Sequence, residues 1–453
     1  MVEFPSEFVW GVSTSAYQIE GAATAGGKRP SIWDAFVRRR GAVADGATGD
    51  VAIDHLARLD EDVALIAGLG VRAYRFSIAW SRWFPDGDRR VAPAGRDVYD
   101  RLVDRLLEHG VAPWPCLYHW DLPAALQQRG GWTARDTVDR FADYAAAVLD
   151  VLGDRVGHVA LRNEPNVHAV LGHLLGVHAP GTVDVGAFAA AAHHQHLATA
   201  RVLARLRGDG VRARLGTVLN LQPVDPASDA PEDAAAARLL DAAWNAQALA
   251  PWSGGRYPED LAALFAPVVR DGDEQELRAP LDWIGLNLYT RHRVAADPKS
   301  LIGLRLVGAG PDVATTAMGW AVAPDALREQ LHRLARSLPG VPIYVTENGA
   351  AFEEAPGLDG VVDDRPRVRY LRDHVASVAR ARAEGVDVRG YFVWTLWDDF
   401  EWADGYGPTF GLVHVDRRDL TRTPERSFDW YRRLVATGRL PTDEGGPEDT
   451  AGA

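Results

Sequence analysis

Hydrophobic residues along the chain fall into two alternating patterns. Short apolar or β-branched runs occupy Phe8–Val12, Val71–Ser77, Ala112–Tyr118, His158–Leu161, Arg214–Leu219, Trp283–Asn287, Ile343–Glu347 and Val388–Trp394. Each is short and bounded by turn-forming residues, as buried strands are. Between them apolar residues recur at helical spacing. Leu56, Leu59, Val63, Ile66 and Leu69 precede the second run, and Val138, Phe141, Ala145, Val148 and Leu152 precede the fourth. The acidic triplet Asp60-Glu61-Asp62 marks a helix N-terminus.

A junction repeats where helix gives way to strand: Gly70-Val71, Gly110-Val111, Gly210-Val211, Gly340-Val341 and Gly385-Val386. Glycine suits the left-handed residue that closes a helix, and valine begins the strand. About eight strands alternating with helices predict an α/β fold, a single (β/α)8 TIM barrel with extended βα loops. No Gly-x-Gly-x-x-Gly follows the first strand, so a dinucleotide fold is unsupported. Insertions are expected at Ala227–Asp233, Ala295–Asp312 and Ala350–Pro366. Residues 1–440 are expected to form one catalytic domain. Residues 441–453, rich in Gly, Asp, Glu and Pro, are expected to be a disordered tail.

Composition narrows the function. The 453 residues are 47% hydrophobic and 25% charged with formal net charge −13, which argues against nucleic acid or an anionic membrane as partner. No apolar run spans a bilayer and no signal peptide is visible, so a cytoplasmic enzyme is expected. The lone Cys116 reads as a small buried hydrophobe. His193, His194 and His196 lie in an alanine-rich helical segment without acidic or thiol residues at ligand spacing, so no metal is expected there.

The strand ends carry the chemistry. Side chains at the carboxyl ends of barrel strands face the catalytic site. Here they include Ser15, Gln18 and Glu20; Arg75; His119-Trp120; Asn163-Glu164; Tyr289; Glu347-Asn348; and Trp394 followed by Asp398 to Trp402. Glu347 alone reads equally as a strand-terminal glutamate paired for structure. With Glu164 it makes two carboxylates at one barrel mouth, the pair that glycosidic bond cleavage needs. Neutral hydrogen-bonding groups and tryptophans around them suit a polyol with an apolar C–H face. Phosphate recognition would want several Lys or Arg, and few are present. Sequence spacing fixes no distance between the carboxylates, so retention and inversion of configuration both stay open from the residues alone.

A set of motifs runs along the chain: Ser15-Ala16-Tyr17-Gln18-Ile19-Glu20-Gly21, Tyr74-Arg75-Phe76-Ser77, Tyr118-His119-Trp120-Asp121, Asn163-Glu164-Pro165, Asn287-Leu288-Tyr289, Thr346-Glu347-Asn348-Gly349 and Asp399-Phe400-Glu401-Trp402. Carrying them in this order, over roughly residues 4 to 435, the chain resembles glycoside hydrolase family 1, the β-glucosidase and β-galactosidase family. The resemblance implies a cofactor-free retaining hydrolase acting on small β-glucosides or β-linked oligosaccharides, with a homo-oligomer compatible. It implies Glu164 as acid/base and Glu347 as nucleophile. Arg75, Asn163 and Tyr289 are implied as their supports, and Gln18, His119, Trp120, Trp394, Glu401 and Trp402 as glycone-binding groups. Trp320 is implied as an aglycone-side wall. Gln18, Glu401 and Trp402 would accept an axial or equatorial 4-hydroxyl, admitting galactosides and fucosides. A 6-phospho-β-glycosidase and a catalytically weak sugar-binding relative are the alternatives. The sequence departs from the family pattern at Val159, Leu161, Arg162 and Asp399. Strand alternation would turn Arg162, opposite to Leu161 and Asn163, toward the helix layer, where it needs a partner.

Overall fold

The computed structural model describes residues 2–252, 254–354, 357 and 361–441. From residue 442 onward, the tail expected in the sequence lies outside the described residues. Eight parallel strands close into a barrel, each paired with its sequence neighbours: β1 (Val9–Ser13), β2 (Ala73–Ser77), β3 (Ala112–Cys116), β4 (His158–Asn163), β5 (Arg214–Asn220), β6 (Trp283–Asn287), β7 (Ile343–Asn348) and β8 (Val388–Trp394). Every strand expected from the apolar runs is present, with ends displaced by up to two residues. Around them lie α1 (Leu59–Gly68), α2 (Pro93–Glu108), α3 (Asp136–Leu152), α4 (Val185–Gly208), α5 (Glu259–Phe265), α6 (Pro324–Ser337), α7 (Arg365–Ala383) and α8 (Arg426–Thr437). All five Gly-Val glycines have positive φ, as the helix-closing role requires.

The segment Ala295–Asp312 is not a plain loop. Val224–Pro226, His292–Ala296 and Leu304–Val307 pair into a small side sheet beside the barrel mouth. Helical residues also begin at Pro231, inside the loop expected over Ala227–Asp233.

The barrel interior is filled with aromatic rings below the site. Trp114 packs on Tyr344, Phe392 and Trp283 with centroids 5.0, 5.1 and 5.4 Å away. Interior and exterior are maintained by period-two alternation, which breaks before each candidate carboxylate. β4 shifts register against β5 between Ala160 and Asn163, and β7 shifts against β6 between Val345 and Glu347. Such bulges re-aim a side chain. In β4, Ala160 packs in the interior cluster and Asn163 reaches Arg75 inside. Leu161 joins the large cluster that packs with the helices, and Arg162 reaches α4. Arg162 therefore points to the helix layer as expected, but through the irregularity, since strict alternation would send it inward with Ala160.

Arg162 is fully buried and its guanidinium donates to the Thr199 hydroxyl, with Nε at 2.8 Å. Its Nη1 has no hydrogen-bond partner among the described residues. Burial pushes the group down to about 9. A second buried arginine, Arg367, is treated differently: Asp364 (2.9 Å), Glu425 (3.5 Å) and Glu354 surround it. The guanidinium fills the centre of that acidic group and supplies its counter-charge.

Gly349 is required for closeness of approach. A Cβ there would stand 1.6 Å from the Trp394 carbonyl oxygen. Its φ is not in the left-handed region, so it is this close approach that calls for glycine.

An uncompensated buried charge costs stability that an apolar side chain of similar length does not. Arg162→Met is expected to raise the urea midpoint, by about 1 kcal/mol or more in unfolding free energy. Thr199 retains its bond to the Gln195 carbonyl. A lowered midpoint would contradict this account of Arg162.

Candidate active site

Strand ends β2, β4, β5, β6 and β7 converge on two carboxylates, and a buried chain of hydrogen bonds joins them. Arg75 donates from Nη1 to Glu347 Oε1 and from Nη2 to Asn163 Oδ1, both at 2.6 Å. Asn287 Nδ2 donates to Asn163 Oδ1 at 3.0 Å and to Glu164 Oε1 at 2.7 Å. Tyr289 donates to the second oxygen of Glu347 at 2.6 Å, and Asn220 Nδ2 to Glu164 Oε1 at 3.1 Å. Glu347 thus receives a guanidinium and a phenol, whereas Glu164 receives two neutral amides.

That difference sets the charge states. Burial raises both carboxyls above their ordinary range. For Glu347 the Arg75 charge and the Tyr289 bond oppose the rise. For Glu164 the negative charge of Glu347 adds to it, and the pKa reaches about 8. The pair therefore rests at neutral pH with Glu164 protonated and Glu347 ionised. Tyr289 is itself pushed well above its ordinary value by burial and the Glu347 charge, so it remains a donor.

A third tier holds these supports. Asn220 Oδ1 accepts from Gln222 Nε2 at 2.9 Å and Trp244 Nε1 at 3.1 Å. Thr346 Oγ1 donates to Asn287 Oδ1 at 2.7 Å, orienting its amide nitrogen toward the carboxylates. His119 Nε2 accepts from Asn163 Nδ2 at 3.0 Å. With burial and Arg75 holding the ring neutral, its proton sits on Nδ1, which has no partner among the described residues. Trp120 donates its single N–H to the Asn163 carbonyl at 3.1 Å, leaving only its ring face for a ligand. Glu164, Trp120 and Trp402 have φ of +46°, +75° and +46°, and such strain collects at functional sites.

The remaining residues expected from the sequence line one cavity of about 740 Å³ with both carboxylates: His119, Trp120, Trp320, Trp394, Glu401 and Trp402. Gln18 stands just behind, donating from Nε2 to the Phe400 carbonyl at 2.9 Å and Glu401 Oε2 at 3.4 Å. Trp394 and Tyr289 share an apolar cluster with Phe410, against which Trp320 packs. Cys116 is buried, and burial pushes its thiol up to about 11. The histidines of α4 go to separate partners: His193 to Tyr257 and Asp273, His194 to the Trp132 carbonyl, and His196 to Gln247.

Residues 1–439 match the sequence profile described as glycosyl hydrolase family 1. The chain belongs to glycosyl hydrolase family 1. It is 46% identical over 451 residues to thermostable beta-glucosidase B of Thermobispora bispora, covering 98% of this chain and 93% of that one. It is 43% identical to the bifunctional beta-D-glucosidase/beta-D-fucosidase of Bifidobacterium breve, with 96% and 98% covered. The solved family 1 b-glucosidase from Thermotoga maritima superimposes with a TM-score of 0.93 at 40% identity, covering 97% of this chain and 100% of that one. The resemblance expected from the motifs holds for the whole barrel.

Sequence reasoning overlooked Asn220 and gave Asn287 no role. Both sit at strand ends, and the segment Leu219-Asn220-Leu221-Gln222 at the end of β5 is the signal that was available.

Asp399, one of the positions where the sequence departs from the family pattern, is buried between Gln18 Nε2 at 3.3 Å and the Thr395 hydroxyl at 3.4 Å. Burial, then the neighbouring Asp398 charge, pushes its carboxyl well above the ordinary range. The folded chain therefore binds this proton more tightly than the unfolded chain, and stability falls as pH rises from the ordinary carboxylate value up through the raised value of the folded chain. Asp399→Asn removes the dependence. The variant should melt at a higher temperature than the parent at pH 7, with the gap closing toward pH 4, about the ordinary Asp value. An equal gap at both pH values, or a less stable variant at pH 7, would contradict the assignment.

Proposed function

We propose that the protein is a retaining β-glycosidase that releases terminal β-D-glucosyl residues, and β-D-galactosyl or β-D-fucosyl residues, through a covalent glycosyl-enzyme. The observation that carries this reading is the unequal support of two carboxylates on one cavity. Among the described residues, Glu347 receives Arg75 and Tyr289, while Glu164 receives Asn287 and Asn220. Family membership and relatives named beta-glucosidases support the substrate class, and the Bifidobacterium relative's name supports the fucosides.

In the first step Glu347 attacks the anomeric carbon as the bond to the glycosidic oxygen breaks and Glu164 gives that oxygen its proton. Glu347 is now an uncharged ester, so the negative charge that raised the Glu164 pKa is gone, and Glu164 becomes a base. In the second step Glu164 takes a proton from water, the water oxygen attacks the anomeric carbon, and Glu347 leaves as carboxylate. Two displacements restore the starting configuration. Arg75 and Tyr289 hold the nucleophile ionised and oriented. Asn163 is assigned to the 2-hydroxyl, and His119 Nδ1, Gln18 and Glu401 to the remaining glycone hydroxyls. Trp394 takes the sugar's apolar face, Trp402 joins Gln18 and Glu401 at the hydroxyls, and the Trp120 ring lies beside them with Trp320 toward the aglycone. A reducing compartment such as the cytoplasm suits the lone thiol of Cys116.

A phosphorylated glycone is disfavoured. Burial, then the neighbouring Asp399 and Asp404 charges, push the Glu401 carboxyl well above its ordinary range, and a carboxyl in either state offers a phosphate no counter-charge. The stronger ground is that no Lys or Arg is among the described residues lining the cavity.

Glu347→Gly should lose about 10⁴-fold or more in kcat on nitrophenyl β-glucoside. Azide should restore turnover, giving a glucosyl azide of inverted configuration. Glu164→Ala should lose about 10²–10⁴-fold on poor leaving groups that need protonation. Undiminished activity in Glu347→Gly would overturn the mechanism. Because Glu164 must carry its proton in the free enzyme, kcat/KM should fall on the alkaline side near pH 8. An alkaline limb at the ordinary glutamate value would contradict the buried acid.

A further inference from the structure

The cavity changes character with distance from the carboxylates. Its inner end holds the polar groups already described, together with Asn220 and Gln222 behind Glu164. Its outer part is walled largely by aliphatic side chains from four separate elements. The helical turns after β4 contribute Val170, Leu171, Leu174 and Leu175. The side sheet and its connection contribute Leu301, Ile302, Leu304 and Leu306. α5 adds Leu261 and Leu264, and the segment ahead of it Leu239 and Leu240. Leu301, Leu306 and Leu239, at the rim, are 62%, 57% and 37% exposed. Exposed aliphatic residues clustered at a cavity mouth mark a binding surface.

A second sugar in this cavity would find polar partners at His178, Thr290, His292 and Asp404, but hydroxyls turned to the surrounding leucines would be buried unsatisfied. An alkyl, aryl or isoprenoid group would gain the transfer energy of every methylene removed from water. We propose that this outer cavity selects β-glucosides with an extended apolar aglycone over cello-oligosaccharides. The inference rests on the glycosidase reading above and names the substrate class of that same site. The apolar vestibule is continuous with the carboxylates, so an aglycone leaving Glu164 passes directly between the leucines of the β4 turns and those of the side sheet.

The test is kcat/KM for methyl, butyl, hexyl and octyl β-D-glucoside, each below its micellar concentration, with cellobiose and cellotriose alongside. Wild type is compared with Leu171→Asn/Leu306→Asn. In wild type, kcat/KM should rise about two- to fourfold per added methylene, the upper figure being full burial of each. Octyl glucoside should exceed cellobiose by about tenfold or more. The double variant should flatten the series. The slope is a ratio within one enzyme, so a smaller folded fraction cancels. A flat wild-type series with cellobiose or cellotriose preferred would overturn the proposal, as would an unchanged slope in the variant. Failure to turn over even methyl and nitrophenyl β-glucoside would instead overturn the glycosidase reading.

Discussion

The site depends on one buried chain of hydrogen bonds, Glu347–Arg75–Asn163–Asn287–Glu164. Arg75 and Glu347 are almost wholly out of water, so neither charge is tolerable without the other. Breaking such a pair leaves an uncompensated buried ion, at a cost of about 3–5 kcal/mol. The same guanidinium fixes Asn163 through its other nitrogen. The position of one carboxylate is thereby transmitted to the amides that hold the other. Their unequal proton affinities follow from this arrangement: a charged donor serves the ionised group, and neutral donors serve the protonated one.

The barrel supplies the convergence, and local departures from regularity supply the aim. β4 and β7 each slip register just before their glutamate, and Glu164 itself sits in the left-handed region. The aromatic cluster around Trp114 forms a stiff floor beneath them. Regular strands would carry the interior side chains upward at fixed spacing, and the bulges let consecutive residues serve different layers. Leu161 and Arg162 pack outward while Asn163 and Glu164 turn to the site.

This explains what the sequence disclosed and what it concealed. Strand runs, helix-closing glycines and strand-end carboxylates are local signals, and they gave eight strands and both glutamates. Arg162 drew suspicion because it stands two residues before Glu164, but its direction is set by a bulge that period-two reasoning does not contain. Its nearest support is Thr199 on α4, a tertiary contact. Asn220 and Asn287 escaped assignment because an asparagine at a strand end has no signature of its own. Its role exists only once β4, β5 and β6 lie side by side. The side sheet that runs into Ala295–Asp312 was missed for a similar reason, since the pairing of His292–Val294 with Val224–Pro226 joins segments distant in sequence.

The central claim is that Glu347 attacks the anomeric carbon while Glu164 manages the proton. The most direct measurement uses a 2-deoxy-2-fluoro-β-D-glucoside with a good leaving group, which forms a glycosyl-enzyme faster than water removes it. Proteolysis and mass spectrometry then locate the adduct. The account predicts one fluoroglucosyl ester, on Glu347 within the peptide spanning Ile343–Gly349, with activity lost in proportion to labelling. An adduct on Glu164 or elsewhere, or inactivation without any covalent adduct, would contradict it.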